Sequence, residues 1–135
     1  MDPSKVRYYR VLFGVAAAYD ILLGIIFLFF RSRAFAALGL SEPLAPVNGY
    51  LTLLGAFVLV IGVAYALIAR GDLQRNGDLI LVGALYKLAY ASTAFYYWGV
   101  PHLVFGAVFG VADAVFFVLM AECCLSLRKL GKSAR

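Results

Sequence analysis

Four long apolar stretches alternate with short polar ones along this chain, at roughly Val11–Phe30, Tyr50–Ala69, Leu79–Tyr97 and His102–Ala121. About 20 apolar residues, rising about 1.5 Å each, cross a hydrocarbon core, so each stretch predicts a membrane-spanning helix. Gly99-Val100-Pro101 predicts a tight outer turn, and Arg70–Asp78 a polar, glycine-bearing inner loop. The first outer connection, Arg31–Val47, is longer. Within it Arg33–Leu40 predicts a short interfacial helix, ended by Pro43 and Pro46. Short links make consecutive helices antiparallel neighbours. The expected fold class is all-α: a polytopic integral membrane protein, one domain over residues 1–135, built as an antiparallel four-helix transmembrane bundle.

Composition agrees. Of the 135 residues 64% are apolar and only 14% charged, against roughly a quarter charged in soluble domains. A water-soluble module is excluded. Ala34-Phe35-Ala36 after the first stretch mimics a signal-peptidase site. The stretch nevertheless exceeds the usual apolar core of about 7–15 residues in a signal peptide, and reads as a retained span.

The charges orient the spans. With four spans both termini share one side, which carries Lys5, Arg7, Arg10, Arg70, Arg75, Arg128, Lys129, Lys132 and Arg135, whereas the other side carries Arg31 and Arg33. Nine against two predicts cytoplasmic termini. The net charge of +5 therefore belongs to topology and head-group contact, not to nucleic acid. Tyr8 and Tyr9 at the inner edge, and Tyr96, Tyr97 and Trp98 at the outer edge, match interfacial aromatic belts.

Residue spacing assigns the faces. In the second span Asn48, Thr52, Gly55, Leu59, Gly62, Ala66 and Ala69 form one seam, mostly of small residues that let membrane helices approach closely. Gly106 and Gly110 continue into Asp113 and Phe117 in the fourth span. Gly83, Lys87, Tyr90, Ala91 and Ala94 share a face in the third, as do Ala16, Ala17, Asp20 and Gly24 in the first. Each intramembrane charge thus lies on a face that packs against protein.

Asp20, Lys87 and Asp113 each fall about 12–13 Å from the inner edge of an ideal helix, so a closed bundle would bring them to one level. Such a charge costs about 2.5–3.5 kcal/mol at a helix centre, so Lys87 needs a carboxylate. Two acids against one ammonium leave a carboxylate in surplus. Three roles stay open: an electrostatic staple that fixes helix order, a ligand site beside the cluster, or a proton or ion path. Tyr90 is the aromatic neighbour of the cluster. Together with Phe13, Phe109 and Phe117 it is a candidate lining for an apolar cavity.

Other chemistry is sparse. Tyr86, Ser92 and Thr93 are read as buried helix contacts. His102, the one histidine, is read as an interfacial residue. Cys123 and Cys124 are helix neighbours that point apart, which argues against a disulfide. No phosphate loop, metal-ligand cluster, catalytic nucleophile–base pair or cofactor motif is present in the sequence.

Tyr19-Asp20 with Gly24, Gly83 with Lys87, and Asp113 resemble a group of uncharacterised small four-helix bacterial membrane proteins of general DoxX-like appearance; this chain has Ala112 where members carry an Asn beside the last Asp. The resemblance implies a polytopic bundle in a bacterial inner membrane. It also brings in quinone-like ligands, because some DoxX-type proteins are linked to redox or quinone-associated complexes.

Three functional readings follow. The first is a non-enzymatic membrane protein that binds a membrane lipid, a quinone-like ligand or a partner. The second is an accessory or assembly subunit of a larger complex. The third is a small proton-coupled transporter that works as a homodimer or larger oligomer.

Overall fold

The computed structural model describes residues 1–37, 39, 45–98 and 106–133. The fold is all-α: α1 (Pro3–Phe29), a short α2 (Arg31–Ala37), α3 (Ala45–Arg70), α4 (Gly77–Trp98), then a π-helical turn (Gly106–Val111) that runs directly into α5 (Ala112–Ser133). Among the described residues, four helices are long and apolar enough to cross a membrane, over Pro3–Phe29, Asn48–Arg70, Gly77–Tyr96 and Phe109–Lys129. This is the architecture of an integral membrane protein.

The helices outrun the apolar stretches. α1 begins at Pro3 rather than Val11 because Asp2 caps it: the Ser4 N–H donates to Asp2 Oδ1 (3.1 Å) and the Ser4 hydroxyl to Oδ2 (2.8 Å). Proline suits the first helical position, where no N–H is needed. The same two bonds hold the Asp2 carboxyl below the usual carboxylate range. α5 likewise continues past Ala121 to Ser133. α2 stops at Ala37, with the Gly39 N–H bonded to Ala36 O (3.1 Å) and Gly39 at φ 68°. A glycine thus ends this helix, because it alone adopts that conformation without cost. Pro46 does not terminate α2; it lies in the first turn of α3, where proline is tolerated. Pro43, the Gly99-Val100-Pro101 turn and His102 lie outside the described residues.

The chain groups into two compact units, residues 13–67 and residues 1–12 with 68–135. In the first of these, α1 buries Phe13, Ala16, Ala17, Asp20 and Phe27, and α3 buries Val58 and Tyr65. α1 and α3 meet through glycines. A Cβ on Gly24 would lie 2.7 Å from Leu59 Cβ and 2.9 Å from Gly55 O; one on Gly55 would lie 2.7 Å from Phe27 Cβ; one on Gly62 would lie 2.8 Å from Ile21 N. Contact positions rise along α1 as they fall along α3, so the two are antiparallel. The seam expected from sequence holds at Gly55 and Gly62, but its buried centre runs through Val58 and Tyr65. Thr52 faces outward instead, where Arg31 Nη1 donates to its hydroxyl (2.8 Å) and to Asn48 O (3.2 Å).

In the other unit, α4 buries Ile80, Ala84, Lys87, Ala91 and Ala94, at alternating steps of four and three. α5 and the π turn answer with Phe109, Asp113, Met120 and Cys123. This is one stripe per helix at heptad spacing. The opposite faces expose Leu53, Phe57, Val60 and Leu67 on α3, Val111 on the π turn, and Val115 and Val118 on α5. Exposure of that much branched apolar surface suits a hydrocarbon surround. The α3–α4 turn is held by Gln74 N–H on Asp72 Oδ1 (2.8 Å) and Asn76 Nδ2 on Asp72 O (2.8 Å). Contrary to a wholly exposed loop, it buries Leu73.

The glycine contacts give the first prediction. Gly24→Ala or Gly62→Ala would press a methyl into backbone of the facing helix, and overpacking of this kind costs about 1–3 kcal/mol. Gly14 and Gly49 have nothing within 4 Å of an added Cβ, so Gly14→Ala and Gly49→Ala should leave stability level or slightly raised. Thermal unfolding in detergent, read by circular dichroism, checks the contrast; equal Tm values for all four variants would refute it.

Candidate functional site

The site grows from one side chain that the helix leaves no other place to put. Lys87 lies on the buried stripe of α4, four residues from Ala91 and three from Ala84. Those alanines leave width for its four-carbon stem. Lys87 is 0% exposed, and its Nζ donates to Asp113 Oδ1 at 2.6 Å. The ammonium also lies 5.2 Å from the Phe116 ring centroid and 5.5 Å from that of Tyr86, within the reach of cation–π attraction. Charge and aromatic faces thus replace the water that the ammonium has lost.

Asp113 is the second residue of α5, directly after the π turn. Gly110, in that turn, lies beneath Phe95: a Cβ there would come within 2.9 Å of Phe95 Cε1. The missing side chain lets the start of α5 approach α4 closely, one turn before the carboxylate that Lys87 needs. π turns are rare and cluster at functional positions, and here one adjoins the ion pair.

Of the residues expected to carry the site, Lys87 and Asp113 are brought together. Tyr90 is half-buried, with its ring 5.9 Å from that of Tyr86, so an aromatic ladder leads along α4 away from the ion pair. Asp20 is buried (1% exposed) within the other unit, where its own Cβ lies 3.1 Å from the point a Gly62 Cβ would occupy. Absence of a side chain at Gly62 is what admits the α1 backbone at Asp20.

Several expectations change. Phe13, a candidate cavity lining, is fully buried core packed on Tyr65 at 6.0 Å. Phe116 supplies a ring over Lys87, and both it and Phe117 are half-buried on α5. Ser92 and Thr93 are exposed rather than buried, and the Thr93 hydroxyl bonds back to Ala89 O (2.8 Å).

Tyr8, 45% exposed, suits the interfacial belt, but Tyr9 is turned inward and is 0% exposed. Its hydroxyl donates to Glu122 Oε1 (3.0 Å) and shares a hydrogen bond with Ser126 Oγ (3.0 Å). The sequence held one signal of this second polar cluster: Tyr9 and Glu122 both fall at the inner edge of their spans. Cys123 and Cys124 form no disulfide, and they differ in burial as helix neighbours should. Among the described residues no three His, Cys, Asp or Glu side chains group to hold a metal ion.

The pair is an intramembrane contact whose halves depend on each other. Removing one partner of a buried ion pair typically costs 3–5 kcal/mol, whereas replacing both with apolar groups is often neutral. Lys87→Met should therefore lower stability by about 3 kcal/mol or more, and Lys87→Met with Asp113→Leu should recover most of the loss. A double-mutant cycle in detergent measures this coupling. A fully tolerated Lys87→Met would remove the pair from the structural account.

Compared with known proteins, the chain matches no family model, no curated protein and no solved structure.

Proposed function

We propose that this is a non-enzymatic membrane protein, with both termini in the cytoplasm of a bacterium, that holds a lipophilic ligand against the Lys87 region. The observation that carries the reading is the buried Lys87–Asp113 pair, continued by the half-buried rings of Tyr86 and Tyr90. Intramembrane ionisable groups mark ligand or ion paths more often than elsewhere in a fold. A polar point at the end of an aromatic ladder suits a molecule with a polar head and an apolar body, such as a membrane lipid or a quinone. The DoxX-like resemblance points the same way.

Native mass spectrometry of the gently solubilised protein tests this. The expected spectrum carries a discrete lipophilic adduct, retained by the wild type and lost from Asp113→Asn samples that keep the wild-type helical circular dichroism. A ligand-free wild type that is fully folded would leave the ion pair as a staple only.

A second reading, as a subunit of a larger membrane complex, is favoured by one face of α1. Gly14 and Ala18 lie one turn apart there, both exposed, with open space around Gly14. Small residues at this spacing let a partner helix approach. Gly14→Ile should then leave the isolated protein's Tm unchanged but shift its native mass to a smaller assembly. An unchanged assembly would exclude this face as the contact.

A further inference from the structure

A cleft of about 470 Å³ opens where the start of α1 faces the α3–α4 turn; Val6, Arg10, Arg70, Gly71, Asp72 and Leu73 contribute to its walls. Its depth in a bilayer is fixed by the spans. Arg70 is the last residue of one membrane-length helix and Gly77 the first of the next, so the turn between them stands at the head-group layer.

Three features make the cleft suited to a phosphate group. Arg10 is exposed, yet its Nη2 donates to Gly71 O at 3.4 Å, which leans the guanidinium against the turn. A guanidinium has five N–H donors in a planar fork, so one bond to the backbone leaves others for phosphate oxygens. Arg70 adds a second guanidinium to the same walls. The acid in the lining, Asp72, has Oδ1 turned to the Gln74 N–H at 2.8 Å; it keeps its charge, and the two guanidiniums outnumber it in the walls. Finally, half-buried Val6 and buried Leu73 present apolar surface beside the charges, which suits the glycerol and first methylenes of a lipid.

We infer that this cleft is a binding site for the phosphate head group of an anionic phospholipid. An anionic lipid is preferred over phosphatidylcholine because two arginines disfavour a trimethylammonium beside the phosphate. The site is separate from Lys87 and stands whether or not a ligand occupies that region; it rests on the four helices spanning a bilayer.

The test uses the full chain in phosphatidylcholine nanodiscs doped with phosphatidylglycerol, with retained lipid counted by native mass spectrometry. The wild type is expected to hold one phosphatidylglycerol in preference to phosphatidylcholine. Arg10→Gln and Arg70→Gln should each lower that retention roughly fivefold, as follows from about 1 kcal/mol per basic residue at a membrane surface. Arg128→Gln, away from the cleft lining, should leave it unchanged. Arg10→Lys and Arg70→Lys keep the charge but lose the fork and should give intermediate retention. They replace any glutamine variant that loses its helical circular dichroism. Equal loss in Arg128→Gln, or equal retention of phosphatidylcholine, would overturn the site. Displacement of the lipid by inorganic phosphate would assign the fork to a soluble anion and overturn the lipid assignment.

Discussion

An ammonium group sealed among apolar side chains is tolerable only if a counter-charge stays within hydrogen-bond reach, and Lys87 meets that condition through Asp113 at 2.6 Å. Much of the larger unit follows from this demand. The flanking alanines on α4 make room for the lysine stem, Gly110 lets the start of α5 close on Phe95, and Phe116 and Tyr86 turn their rings to the cation. In low dielectric the attraction is strong and directional, but so is the penalty for losing it. The pair therefore specifies which faces of α4 and α5 meet more than it adds to net stability.

The other unit solves the same problem differently. Between helices in lipid no hydrophobic drive exists, and close dispersion contact takes its place. Gly24, Gly55 and Gly62 bring α1 and α3 to backbone contact, and Phe13 stacks obliquely on Tyr65 beside them. At the other end of α3, Arg31 ties α2 to the first turns through Asn48 O and the Thr52 hydroxyl. One unit is keyed by charge and the other by the absence of side chains.

The spans, the all-α class and the burial of Asp20, Lys87 and Asp113 were legible in the sequence, because a charge in an apolar run has only one kind of face to occupy. The glycine positions on α3 were legible for the same reason, through spacing. Exact seam centres were not. Small residues score alike wherever they fall, so the burial of Val58 and Tyr65, with Thr52 left outside, depends on which residues of α1 arrive opposite. Tyrosine at an interface fits either a belt or an inward role, and only the placement of Glu122 and Ser126 turns Tyr9 inward. The ring of Phe116 over Lys87 had no mark in the sequence, where neighbouring phenylalanines on one helix read alike. The π turn had no sequence mark beyond its glycines.

The length of α1 carries a consequence of its own. Its 27 residues make a rod of about 40 Å, against a hydrocarbon core of about 30 Å. Arg31 and Arg33 stand just beyond its far end, so the surplus falls at the end that bears Lys5, Arg7 and Arg10. A rod longer than its solvent layer either tilts or protrudes, and the balance moves with bilayer thickness. In a thicker membrane α1 stands more upright and Tyr8 lies nearer the acyl chains; in a thinner one it leans further, or its basic end stands clear. The protein is thereby coupled mechanically to the lipids around it, and its charged rim rises or sinks with membrane composition.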